Sequence, residues 1–185
     1  MTYYGGKEMA ASFRTVRSNT ILAAKDIPED KYNFRATPDT RTVAERLVHI
    51  AVAPRIQEQI QKVERRTTLQ GFNFPAIFAE VVAEEKKPRT KQEIISLLEK
   101  NGEDFASWLE TLDEKFLAEP VGMPEGASPA TKSRFGMLLS LKEHEMHHRS
   151  QIMLIERLLG IVPHTTRAMN ERMAQAQKSA ETAKA

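Results

Sequence analysis

Cysteine is absent from the chain. That excludes disulfides, thiolate metal ligands and a cysteine nucleophile, so any metal must be held by histidine and carboxylate groups. No apolar run approaches the roughly 20 residues of a membrane span. Met1 to Ala10 has no apolar stretch of the signal-peptide kind. Neither sign of charge dominates: 27 Lys and Arg are interspersed with 25 Asp and Glu. A basic stripe of the sort that tracks a nucleic-acid backbone is therefore missing. Strand signals are sparse, and only Ala76 to Ala83 offers an ambiguous apolar run. These absences leave the expectation of a cytoplasmic, helix-rich protein acting on a small molecule, with no nucleic-acid or membrane partner. Its 185 residues suffice for one buried core.

What is present is helical periodicity. Met9, Phe13, Val16, Thr20 and Ala23 recur at spacings of three and four, which predicts a helix over Lys7 to Lys25. Pro28 to Thr40 reads as a loop anchored by Tyr32 and Phe34. Thr42 to Glu45 is a capping box that opens a second helix to about Arg66, kinked at Pro54, which removes the hydrogen bond to the Ile50 carbonyl. Pro75 can begin a short helix to about Glu85, and Glu84-Glu85-Lys86-Lys87 reads as a solvated face. Thr90 to Glu93 is another capping box, starting a third long helix to about Phe116 in which Gly102 costs about 1 kcal/mol relative to Ala. Ala118 to Thr131, with its Gly and Pro residues, reads as a connecting loop. A fourth helix follows from about Lys132 to Leu159 and stops at Gly160. Residues 164–185 have too few apolar positions for a core and form a helical or frayed extension. The fold class is all-α: a four-helix bundle over residues 1–163.

Three of the five histidines fall within Glu143 to Arg149. His144 and His148 share the inward row of the fourth helix with Met137, Leu141, Gln151 and Ile155. Four residues apart, they stand one above the other, about 5–6 Å between Cβ atoms, and can chelate one divalent ion. His147 lies toward the flank. His49 shares a seam of the second helix with Ala53, Ile56 and Ile60, so it too points inward. Three imidazoles on one side of an ion leave positions open for water or substrate. The competing expectation is that these are core histidines satisfied by backbone carbonyls or by Glu45, Glu143 or Glu145. Glu145 and His147 stand beside the ligands as catalytic candidates for proton transfer or support. Arg149 could neutralise a substrate carboxylate or pair with Glu145 or Glu156. Pro120 to Pro129 and Phe72 to Phe74 could form substrate-side walls. His144 to His148 also spells H-E-x-x-H, the zinc-peptidase pattern. Its third ligand would have to come from downstream, with Glu171 a candidate, and the scarcity of strands argues against that reading.

Asp26 to Arg35, followed by the capped helix bearing Leu47-Val48-His49-Ile50-Ala51, resembles the first half of a DinB/YfiT-like domain. Glu143 to Gln151, followed by Leu158-Leu159-Gly160-Ile161-Val162-Pro163, resembles its last helix and ending, with Ser150 where the family usually has Gly. The resemblance implies up-down-down-up connectivity and a homodimer. It implies a divalent metal, commonly zinc or nickel, held by His49, His144 and His148. It further implies relatives that transfer low-molecular-weight thiols such as bacillithiol or mycothiol, isomerise maleylpyruvate, or act as metal-dependent hydrolases. A thiol S-transferase or hydrolase acting on a small electrophile is the leading expectation. A non-enzymatic dimer with a structural metal is the alternative.

Overall fold

The computed structural model describes residues 4–182. Its first helix, α1 (Gly6–Asp26), buries Met9, Phe13, Val16, Thr20 and Ala23, the predicted stripe. The expected second helix comes in pieces: α2 (Val43–Val52), α3 (Pro54–Gln57) and a π-helical turn, Glu58–Val63. The capping box forms as expected, with Thr42 Oγ1 accepting from the Glu45 N–H at 3.1 Å and Glu45 accepting from the Thr42 N–H at 2.8 Å. Pro54 leaves the Ile50 carbonyl without its helical donor. A side chain from α1 replaces it: Arg17 Nη2 donates to Ile50 O at 3.2 Å.

α4 (Phe74–Glu85) contains the ambiguous run at Ala76 to Ala83, so that run is helical rather than extended. α5 (Lys91–Glu110) ends earlier than the periodicity suggests. Asp113 Oδ1 accepts from the Phe116 N–H at 2.7 Å and starts a separate helix, α6 (Glu114–Ala118). The segment read as a loop holds a small antiparallel ladder, in which β1 (Pro120–Gly122) pairs with β2 (Thr131–Ser133) in the register Val121 opposite Lys132. Three residues a side are too few to show a period of two. Ser133 then caps α7 (Arg134–Leu158), and Gly160, at φ 77°, follows its end in the left-handed region. α8 (His164–Thr182) has no buried residue. It is tied down by His164 Nε2 to Asn19 Oδ1 at 3.1 Å, Arg167 to Asp26 at 2.7 Å and Arg157 to Thr166 at 2.9 Å.

Cross-helix contacts fix the directions. Arg14 meets Glu103 and Glu110 while Lys25 meets Glu99, so α1 and α5 are antiparallel. Lys142 reaches Ser12 and Glu145 reaches Arg17, with Ala23, Ala24, Ile152 and Ile155 clustered further on, so α1 and α7 are parallel. Tyr32 Oη donates to Ala24 O, bringing the start of α2 to the exit of α1, and Asn101 Nδ2 donates to Ala51 O. α2 and α5 therefore both descend: the connectivity is up-down-down-up. Among the described residues, no helix is long and apolar enough to cross a membrane.

Candidate metal centre

α2 and α7 bring three histidines together. His144 and His148, one turn apart on α7, have ring centroids 4.5 Å apart, and the His49 ring lies 4.9 Å from the first and 4.7 Å from the second. One ligand atom of each lies within 4.8 Å of the others, and the Nε2 atoms of His49 and His144 are 3.0 Å apart. Proline at position 54 leaves α2 intact through His49, so the imidazole keeps its helical register.

The outer ring edges decide which nitrogens are free. His49 Nδ1 is 2.8 Å from Glu85 Oε1, and Arg41 donates to the same carboxylate at 2.6 Å. Burial pushes the Glu85 carboxyl up, but the bonds from His49 and Arg41 outweigh it and hold its pKa below the ordinary value. An ionised carboxylate only accepts, so His49 Nδ1 donates to it, and Nε2 is the ring nitrogen that faces His144. His148 Nδ1 is 2.9 Å from Gln151 Oε1, which also accepts from Arg46 Nη1. Arginine only donates, so that atom is the amide oxygen; His148 Nδ1 must donate to it, which leaves Nε2 free. The Gln151 amide nitrogen then faces His147 Nε2 at 3.3 Å.

Burial above all, with neighbouring positive charge, pushes the pKa of His144 and of His148 down to about 4. At neutral pH both are the uncharged imidazoles a metal requires. Two Nε2 atoms 3.0 Å apart also suit adjacent positions on one ion at metal–nitrogen distances of about 2.0–2.1 Å. The donor set and its geometry fit a divalent cation.

The other expected site residues go elsewhere. Glu145 points away from the triad into the α1 interface. Its oxygens accept from Arg17 Nε at 2.9 Å, Arg17 Nη2 at 3.0 Å and Thr20 at 2.7 Å, and it is 2 % exposed. With both oxygens engaged there, it has none to offer a reacting group beside the histidines. His147 is exposed, its ring 4.9 Å from that of His148. Arg149 pairs with neither Glu145 nor Glu156 among the described residues and instead donates to Val16 O at 3.3 Å. Glu171 lies exposed on α8. The Phe72–Phe74 turn packs with Ile60, Leu69, Val121, Met123 and Met137, at the opposite end of α4 from Glu85.

Sequence reasoning missed Glu85, Arg41 and Arg46. Glu85 was assigned to solvent, yet it is 7 % exposed, and the carboxylate partner of His49 is none of Glu45, Glu143 or Glu145. Its one signal is the spacing of four from Val81, the other buried residue of α4.

No curated protein matches the chain at the level of sequence. Solved structures do resemble it. YfiT from Bacillus subtilis, described as a probable metal-dependent hydrolase with an unusual four-helix bundle topology, aligns at a TM-score of 0.66 with 14% identity, covering 87% of this chain and 91% of that one. A DinB-like protein from Bacillus subtilis, YjoA, aligns at 0.60 with 19% identity, covering 83% and 92%. A protein from Streptococcus pneumoniae aligns at 0.59 with 21% identity, covering 85% and 93%. Likeness at such identities speaks for the fold. Membership rests on sequence: the DinB superfamily profile matches residues 12–152, most of the bundle, and the chain belongs to the DinB superfamily.

Proposed function

We propose that this protein is a divalent-metal-dependent enzyme acting on a small electrophile at the centre formed by His49, His144 and His148. The observation that carries the reading is the arrangement of protons. Glu85 and Gln151 engage the Nδ1 atoms of His49 and His148, which leaves the Nε2 atoms of both for the triad's interior. Bound there, a divalent ion supplies Lewis acidity and makes a hydrolytic water or a thiol cosubstrate a stronger nucleophile near neutral pH.

The chain's own groups do the remainder. Three ligands leave the outward side of the centre to substrate. His147, exposed and in contact with Gln151 Nε2, is the group placed to move a proton at the rim. Glu145 serves the bundle rather than the reaction, through its pair with Arg17. The likeness to YfiT favours the hydrolase form, and thiol transfer is the variant to test beside it.

Elemental analysis of purified protein should find one divalent ion per chain. His49→Ala, His144→Ala and His148→Ala should each abolish stoichiometric binding. Metal-loaded protein would then be offered an electrophile such as chlorodinitrobenzene, and activated esters, with and without low-molecular-weight thiols. Turnover without thiol identifies a hydrolase and turnover only with thiol a transferase. Unchanged metal content in all three variants would overturn the reading.

A further inference from the structure

Three arginines are almost completely buried in the bundle: Arg17 at 4 %, Arg134 at 2 % and Arg46 at 8 % exposure. Arg17 is met by Glu145 and Arg134 by Glu119, each through a carboxylate within 3.0 Å. Arg46 has no carboxylate partner among the described residues. Its Nη1 is used on Gln151 and lies 3.4 Å from His148 Nδ1. Its Nε is sealed from solvent and has no hydrogen-bond partner, and its Nη2, which solvent reaches, bonds to no described residue. Nε and Nη2 form the edge of a guanidinium that grips a carboxylate with two parallel hydrogen bonds. Arg17 uses that same edge for Glu145. A buried guanidinium nitrogen left without a partner is unfavourable for folding alone.

The surrounding charge points the same way. Glu85 is the one carboxylate bonded to a ligand histidine, and it is shared between His49 and Arg41. Arg41 and Arg46 outnumber Glu85, which leaves the centre positive before any ion is bound. Arg46 Nη1 is also only one small molecule's length from the converging nitrogens, since it touches the ring of a ligand.

We propose that Arg46 is the anion-binding residue of this centre and that the substrate carries a carboxylate. The carboxylate meets Nη2, the nitrogen of the guanidinium that solvent reaches, and brings the electrophilic part of the same molecule to the histidines. Arg46 is thus a specificity-determining residue, and Gln151 couples it to His148. The proposal rests on the reading of the three-histidine centre as the reactive site.

Calorimetric titration with benzoate and with its neutral counterpart benzamide tests it, on metal-loaded and on metal-free protein. Wild type should bind benzoate saturably in both states and benzamide at least tenfold more weakly. Arg46→Met should lose benzoate affinity at least tenfold while holding metal as tightly as wild type or more tightly, since a positive charge has gone. Arg46→Lys, which keeps the charge but not the fork, should fall between. In the absence of anion, Arg46→Met should melt no lower than wild type. Benzoate binding that survives Arg46→Met, or that needs the metal but not Arg46, overturns the proposal, as does a large drop in melting temperature for Arg46→Met. Loss of metal from wild type would instead overturn the reading of the centre, and the metal-free titration would still decide the role of Arg46.

Discussion

Glu85→Gln keeps the size of the side chain at His49 but removes its charge and half its accepting capacity. Groups that orient a ligand histidine typically contribute 10–100-fold to metal affinity. We expect a loss of about that size in competition with a chromophoric chelator, with helicity unchanged; equal affinity would remove Glu85 from the centre. Glu156 behaves differently. Its carboxyl is fully buried with both oxygens unpartnered, and burial, then the Asp26 carboxylate, pushes its pKa up to about 7 from 4.5. The folded state thus keeps a proton that the unfolded chain releases. That contribution to stability is complete below about pH 4.5 and is lost as pH rises through about 7. Glu156→Gln should therefore gain stability relative to wild type between about pH 5 and pH 8, as read from paired thermal melts; parallel melting curves would count against it. The three histidines were legible because helical register fixes direction. Glu85 and Arg46 were not, because a charged residue at the end of a charge run, or one turn before His49, looks like surface until a neighbouring element covers it.

At the scale of elements, Gly102 is the instructive position. Judged by propensity, Gly102→Ala should strengthen α5 by about 1 kcal/mol. A Cβ there would sit 2.7 Å from Arg17 Cγ and 2.8 Å from its Nη1, inside the buried fork that holds Glu145 and the Leu98 carbonyl. Overpacking of this kind costs about 1–3 kcal/mol, so we expect Gly102→Ala to be net destabilising in chemical denaturation, and a stabilised variant would refute the account. Glu145→Ala strands Arg17 and should cost about 3–5 kcal/mol. Metal affinity should stay within a few fold of wild type, and a collapse of affinity without loss of stability would restore Glu145 to the centre. The four long helices and both Thr capping boxes were legible from spacing alone. The break at Asp113, the π turn after α3 and the β1–β2 ladder were not. Each is decided by one cap or by pairing with a distant segment, which local periodicity does not record.

For the molecule as a whole, α8 is an appendage by burial, held by exposed or half-exposed polar contacts. Such contacts contribute roughly 0–1 kcal/mol each. Removal of residues 164–185 should cost about 1–2 kcal/mol, a few degrees in Tm for a chain of this size, and leave metal content unchanged. A drop beyond about 10 °C would make α8 part of the core. The connectivity has a further consequence. Arg17 and Glu145 are 128 positions apart. Until α7 leaves the ribosome, a nascent chain holding α1, α2 and α5 would enclose a guanidinium with no counter-charge. The last helix brings both the missing carboxylate and two of the three clustered histidines, so the triad is assembled only when the bundle closes.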